Sequence, residues 1–387
     1  MIKNPEAVVI HYSEIALKKG NRKKFELKLV RNIEEILQNK ENIKRLYGRI
    51  IIFLNKNSNI KKIEERLKKI SGISHFAFAV NCNLDIKECE DKIIEIIEEN
   101  KLKAETFAVK ALRSNKEFKY NSQQINEILG EKILKKYKWK VNLNNPEICF
   151  YTEITEKDIF IYINKTKSLG GLPVGVTGKV ISLISGGIDS PVASYMLFNR
   201  GCEVILVHFQ NETITKKGVE SKIKELAEKL SQYQPRTKLY IVKFGNIQKE
   251  IIKNIPAKYR MIVYRRIMFE IGSKIAEKEH ALGLVTGDSI GQVASQTLEN
   301  LNVIYDKAEL PVFSPLIGFT KEEIVKISRE IGTYEISIQP YEDCCSYYLP
   351  EHPEIKSDLK TIEKAEKNLN IGKEIKDSVE SAEIITL

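Results

Sequence analysis

The sequence predicts an α/β chain of more than one domain, a basic α+β half followed by a half built on a parallel sheet. Three observations carry that expectation. Beyond residue 178, continuous apolar strands alternate with amphipathic helices, as in "KVISLIS", "EVILVHF", "KLYIVKF" and "ALGLVTG", the pattern of a parallel sheet covered on both faces. A glycine-rich connector, "KSLGGLPVGVTG", separates this region from shorter α+β units before it. Charge divides at the same place. Residues 1–170 hold 34 Lys and Arg against 23 Asp and Glu, a net of +11; residues 171–387 hold 28 against 29, a net of −1. The whole +10 excess therefore belongs to the first half, which suits a polyanion partner.

In chain order, "AVVIHYSEIAL" reads as a strand running into a loop. "NRKKFELKLVRNIEEIL" follows with Phe25, Leu29, Ile33 and Ile36 at helical spacing. "GRIIIFL" is a second strand and "IKKIEERLKKI" a second helix, a small α+β unit of roughly 70 residues. A second unit comprises a helix over 85–99, the strand "TFAVKAL", the helix "SQQINEILGEKILKKY" and the strands "EICFYTEIT" and "DIFIYIN". With 387 residues and 42% hydrophobic content the chain can bury sizeable cores. It contains no apolar run long enough for a bilayer, and its start, reaching Glu6 and Glu14, lacks the apolar region of a secretion signal. A cytosolic protein without a membrane role is expected. The six cysteines show neither the paired spacing of a zinc ribbon nor a need for a disulfide framework; apart from the adjacent pair they read as free or buried thiols.

The stretch "VISLISGGIDSPVASYMLFNRG" is the most informative. Its loop lies at the carboxyl end of the first parallel strand and just before a helix, where α/β sheets bind ligands and a helix N-terminus offers unpaired N–H groups to an anion. Gly186 and Gly187 let a phosphate approach the backbone; Ser185 and Ser190 add hydroxyls; Pro191 suits a first helical turn. No lysine follows the glycines, so this is not a Walker loop. Asp189 is out of place beside phosphates unless a cation such as Mg²⁺ lies between them. The plainer alternative makes Asp189 the N-cap of the helix.

The loop resembles the pyrophosphatase loop (PP-loop) of enzymes that cleave ATP between the α- and β-phosphates. The resemblance widens through "HYSEIALKKGNRKKFE", "LRSNKEFKYNSQQIN", "GGLPVGVTGKV", "TGDSIGQVASQTLENL", "PLIGFTKEEI" and "PYEDCCSYYLPEHP". Taken in that order, these segments are similar to the tRNA 4-thiouridine synthetase family over nearly the whole chain. The resemblance implies an N-terminal ferredoxin-like domain over 1–57, a THUMP RNA-binding domain over 60–165 and an adenylating PP-loop domain over 175–387. Many relatives carry a further rhodanese domain; a short form without it is expected here. Two departures fall near the implied site: "QNETITKK" follows "VHF" in place of a His and a Pro-rich turn, and Asp288 stands where Glu is frequent.

By that resemblance, uracil O4 of a tRNA nucleoside, uridine 8 in the family, attacks the α-phosphate of ATP, pyrophosphate leaves, and a persulfide sulfur displaces AMP at C4. The implied nucleotide contacts are Leu183, Ile184, Ser185, Gly186, Gly187, Asp189 and Ser190, with His208 and Phe209 flanking the adenine, and Arg265, Gly287 and Gln296 completing the set. Asp189 would also hold Mg²⁺. Lys321 would neutralise the transferring phosphoryl group, while Thr320 and Glu323 around it read as a helix capping box. Read as residues alone, His208 is as much a strand-end residue as a ligand, and the pair Arg265-Arg266 suggests a solvated helix face. Arg22, Lys23, Lys24, Lys110, Arg113 and Lys116 are candidates to grip tRNA phosphates. Cys345, helped by Cys344, is expected to handle the sulfur, since a bond between adjacent cysteines is strained and easily reduced. The partners so implied are tRNA, a cysteine desulfurase or other persulfide donor and, as some relatives serve thiamine synthesis, a sulfur-carrier protein; a homodimer is compatible with the sequence. The competing expectations are another PP-loop tRNA enzyme, of 2-thiouridylase or lysidine synthetase type, and a THUMP RNA-binding protein with an inactive nucleotide domain.

Overall fold

The computed structural model describes residues 2–38, 42–211, 218–340 and 352–387. The chain forms two compact units, Met1–Pro173 and Val174–Leu387.

The first unit runs β1 (Ala7–His11), α1 (Arg22–Leu37), β2 (Asn42–Leu46), β3 (Arg49–Phe53), α2 (Ile60–Leu67), β4 (His75–Asn83), α3 (Ile86–Glu99), β5 (Thr106–Arg113), α4 (Ser122–Lys136), β6 (Lys140–Val141), β7 (Ile148–Ile154), β8 (Asp158–Tyr162) and β9 (Thr166–Lys167). The two α+β segments share one sheet, ordered β2-β3-β1-β4-β8-β7-β5-β6, with β9 on β4. The joining strand β4 pairs with both β1 and β8. Its sequence, "HFAFAVNCN", has too many alanines and asparagines to announce a strand. β2 is equally unannounced, because its "NIKRL" is largely exposed and shows no apolar alternation. The apolar stripes of α1 to α4 pack on one face of the sheet, with Leu29, Ile33, Ile93, Ile97, Ile125 and Leu129 in a single core.

A buried polar cluster crosses this sheet. Glu153 on β7 is fully buried and accepts from Arg49 on β3, from the Tyr162 hydroxyl on β8 at 2.5 Å, and bonds His11 Nε2 on β1 at 2.8 Å. Burial alone would raise the Glu153 carboxyl, but the His11 hydrogen bond and the His11 and Arg49 charges outweigh it and hold its pKa at about 2. His75 stacks on His11 with ring centres 4.6 Å apart, and burial, reinforced by the His11 and Lys165 charges, pushes it down to about 4.

The second unit runs β10 (Lys179–Leu183), α5 (Asp189–Asn199), β11 (Glu203–Gln210), α6 (Gly218–Ser231), β12 (Lys238–Lys243), α7 (Gly245–Asn254), α8 (Arg260–Glu279), β13 (Leu284–Val285), α9 (Leu298–Tyr305), β14 (Val312–Phe313), α10 (Lys321–Glu330), α11 (Tyr334–Ser337), α12 (Leu359–Glu366), α13 (Gly372–Glu380) and β15 (Glu383–Thr386). Its sheet is ordered β14-β13-β10-β11-β12-β15. The first five strands are parallel, as the continuous apolar runs predict. The predicted parallel sheet carries one antiparallel edge strand, β15, which pairs with β12. Ile181, Val207 and Val242 pack under α7, α8 and α13, while Ser182 on the other face of β10 meets Ser194 of α5 at 2.8 Å. Both faces are thus covered. Among the described residues no helix is long and apolar enough to cross a membrane.

Stability conferred by Glu153 should be complete above its unfolded value of 4.5 and fade as pH falls towards about 2. His75 should bring an earlier loss, between 6.5 and about 4, because there the unfolded chain binds a proton that the folded one does not. Glu153→Gln, which strips the nearly buried Arg49 of its counter-charge, is expected to cost about 3 kcal/mol at pH 7. It should also flatten the more acidic part of the loss. Thermal denaturation between pH 7 and 2.5 measures both effects.

Candidate active site

β10 ends at Leu183, and the backbone turns through Ile184 to Ile188 before α5 begins. The loop closes on its own hydroxyls: Ser185 N–H donates to Ser190 Oγ at 2.9 Å, and Gly187 N–H to Ser185 Oγ at 3.3 Å. No side chain caps α5, so the N-terminal donors of that helix are left to a ligand or solvent. Asp189 is the first helical residue and not the cap. Its carboxylate points to two distant chain segments, accepting from Lys321 Nζ on Oδ1 at 2.7 Å and from Gln292 Nε2 on Oδ2 at 2.8 Å. Lys321 opens α10, where the Thr320–Glu323 capping box forms as the sequence predicts.

Gly287 explains how the parts come so close. A Cβ there would lie 2.7 Å from Ser190 N and 2.8 Å from the Asp189 carbonyl carbon. The missing side chain lets the segment following β13 abut the first turn of α5, so the backbone approach expected at this glycine is to the loop itself.

The cavity beside the loop is lined by Leu183, Ile184, Ser185, Asp189, Ser190, His208, Phe209, Arg265, Gly287 and Gln296, which joins ten of the twelve expected nucleotide contacts. Gly186 is buried and Gly187 exposed, both within the loop but off the cavity lining. His208 is buried and its Nδ1 lies 3.0 Å from Ile184 O, tying the tip of β11 to that of β10. Neither member of the arginine pair is a solvated face. Arg265 enters the cavity, and Arg266 is buried against Glu366 and the Val303 carbonyl.

Met261, Met268, Phe269, Thr286, Asp288 and Ser295 complete the lining and were not among the expected contacts. Three had a signal, because Met261, Met268 and Phe269 stand four before, three after and four after Arg265 and so share its helix face. Asp288 is the hub of the site. It accepts from Arg265 Nη2 at 2.6 Å, Tyr305 Oη at 2.7 Å, Thr286 Oγ1 at 2.8 Å and Gln296 Nε2 at 3.0 Å. Burial opposes its charge, yet the Arg265 charge and these bonds keep its carboxyl below the usual range. Asp, one methylene shorter than the Glu frequent at this position, is fully accommodated.

In the first unit, Lys23, Lys24, Lys110 and Lys116 are exposed. The two arginines are committed within the fold. Arg22 bonds Glu26 and Tyr12 and lies 4.6 Å over the Tyr47 ring, and Arg113 donates to the Phe118 and Tyr120 carbonyls, both at 3.1 Å. Cys344 and Cys345 lie outside the described residues. The chain before them is gripped by the buried Lys222, whose Nζ donates to the Ser337 and Gln339 carbonyls at 2.8 Å each. Beyond them, Asn300 Nδ2 holds the Glu354 carbonyl at 2.8 Å.

A parallel α/β sheet with this serine-glycine-aspartate loop at its first strand tip defines a PP-loop domain of the ATP-pyrophosphatase class. The family described as "Thiamine biosynthesis protein (ThiI)" matches residues 175–371, its ferredoxin-like domain residues 7–77 and the THUMP domain residues 84–164. The chain belongs to the ThiI family. It is 40% identical over 375 residues to a protein of Thermoanaerobacter pseudethanolicus named "Probable tRNA sulfurtransferase", covering 96% of this chain and 97% of that one. A protein of the same name from Halothermothrix orenii is 38% identical and covered, like this chain, to 99%. Among solved structures, a 4-thiouridine synthetase–RNA complex with bound ATP superposes with a TM-score of 0.90 at 37% identity, covering 99% of this chain and all of that one. A Pyrococcus horikoshii protein at 23% identity shares the fold, with a TM-score of 0.64 over 84% of this chain and 99% of its own.

Gly287→Ala is expected to push the loop and the segment after β13 apart, costing about 1–3 kcal/mol of stability and most of the nucleotide affinity. Calorimetric ATP titration together with thermal denaturation would check it; undiminished ATP affinity would contradict the close-contact explanation.

Proposed function

We propose that this protein is an ATP-dependent tRNA sulfurtransferase that converts a tRNA uridine, uridine 8 by family resemblance, to 4-thiouridine. The observation that carries the reading is the meeting of Asp189 in the "SGGIDS" loop with Lys321, 132 positions away, at the rim of the cavity. The end-to-end relatives named for this activity support it.

Uracil O4 is a hopeless leaving group at neutral pH, and attack on the α-phosphorus of ATP makes it the oxygen of a phosphate ester. The loop hydroxyls, its amides and the α5 N-terminus receive the phosphates; Lys321 and Arg265 offset charge as pyrophosphate departs. Phe209, Met261, Met268 and Phe269 provide apolar walls for the base. The single carboxylate of Asp189, with serine hydroxyls nearby, fits a Mg²⁺ ion that arrives on the phosphates, where it would neutralise charge. Residues 175–387 carry this chemistry. Residues 1–57 and 60–165 present tRNA-binding lysines, Lys23, Lys24, Lys110 and Lys116 foremost. Arg22 and Arg113 shape that surface from within the fold.

In the second half-reaction the terminal sulfur of a Cys345 persulfide attacks C4 and AMP leaves with the O4 oxygen. The Cys344 thiolate then attacks Cys345 Sγ, releasing the sulfur as the 4-thio group and leaving a Cys344–Cys345 disulfide. An external dithiol returns the two electrons. A cysteine desulfurase or other persulfide donor, acting in the cytoplasm, charges Cys345, and a sulfur-carrier protein of thiamine synthesis is a second acceptor. A homodimer accords with the reading.

Purified protein with ATP, Mg²⁺, sulfide and unmodified tRNA should yield 4-thiouridine on nucleoside mass spectrometry. Asp189→Ala should lose pyrophosphate release at least a hundredfold with tRNA affinity unchanged within about twofold, a loss on the scale of removing one electrostatic group. Release near the wild-type rate would overturn the role of Asp189.

Cys345→Ser should keep thiolation with sulfide, which needs no carrier, and lose it with desulfurase and cysteine. Full desulfurase-dependent activity in the Cys344→Ser/Cys345→Ser double variant would refute the persulfide route.

A further inference from the structure

The two groups that hold Asp189 differ in kind. Lys321 brings a charge and is a natural partner for phosphate oxygens as well. Gln292 brings a neutral amide, which can orient a carboxylate without cancelling the charge that a cation requires. The two donors take separate oxygens, Oδ1 and Oδ2.

The loop that carries Gln292 is built to be stiff. Gly291 adopts a φ of +73° and its N–H donates to Gln296 O at 2.9 Å. Gln292 N–H donates to Ser289 O at 3.4 Å. The loop's base is held by Asp288 and Gln296, which bond each other, and by Arg265 on Asp288. Its outer side is fastened to the segment that leads into Lys321, through Ser289 Oγ to Phe319 O at 3.0 Å and Ile290 N–H to Ile317 O at 3.2 Å. The amide of Gln292 is therefore presented from a braced turn to a carboxylate on a neighbouring helix.

We infer that Gln292 is the positioning residue of the site: it fixes Asp189 through Oδ2 so that the oxygen facing Lys321 stays aimed and available when Lys321 turns to incoming phosphates. The inference rests on the nucleotide reading of the cavity. Without Gln292, the partly exposed Asp189 side chain would have to be ordered at the moment of binding, and that ordering would weaken binding of the metal-bearing nucleotide alone.

Calorimetry on the full chain tests this with two probes, the non-cleavable analogue α,β-methylene-ATP titrated at several Mg²⁺ concentrations, and AMP in chelator. Gln292→Leu should weaken Mg²⁺-dependent analogue binding about tenfold, the scale of one hydrogen bond to a charged group, and leave AMP binding within about twofold. The substitution lies in a surface loop, and a thermal melt of the same sample verifies folding. Equal weakening of both probes would show a merely structural role and overturn the inference, as would an unchanged Mg²⁺ dependence. Wild-type protein that binds the analogue no better with Mg²⁺ than without it would overturn the metal-nucleotide reading and this inference with it.

Discussion

The first turn of α5 touches the segment that follows β13 through a contact that only a glycine permits. Backbone atoms of Asp189 and Ser190 fill the space that a Gly287 side chain would need. That approach brings Thr286 and Asp288, the neighbours of Gly287, beside the loop, and with Asp288 come Arg265, Tyr305 and Gln296. The loop's serines could close on one another in isolation. The convergence of Lys321 and Gln292 on Asp189 needs the segments that follow β13 and β14, both on one side of β10, to come this close.

Charge in the site is arranged in two tiers. Asp288 is buried and fully occupied, so Arg265 is held with its counter-charge already present. Asp189 is partly exposed at the rim and is paired with a lysine that remains about half exposed. An exposed pair of this kind contributes little to stability, and its members can be re-partnered at small cost when phosphates enter. The buried pair is costly to break and serves as scaffold. The same division recurs in the basic unit, where Arg22 and Arg113 are spent on internal carboxylate and carbonyl partners while lysines face solvent.

Several features of this protein were decided by sequence alone. Continuous apolar strands specify buried parallel strands because both faces of such a sheet must be covered. "SGGIDS" between a strand and a helix specifies a glycine-rich turn opening a helix whose N-terminus no side chain caps, because glycine backbone and a helix start need only local sequence. The capping box at Thr320 and Glu323 is legible since it needs only local spacing. Tertiary structure alone decided what depends on distant partners. β4 joins the two α+β segments into one sheet although its alanines carry no strand signal, because its neighbours β1 and β8 supply both ladders. Asp189 is the first residue of α5 and not its cap, and its carboxylate is held by residues 292 and 321, more than a hundred positions away. Arg22 and Arg113 look identical in sequence to phosphate-gripping arginines, and only their neighbours in space show them to be partly buried and bonded within the fold. Local chemistry is written in adjacent residues; which charge meets which is set by the closure of the fold.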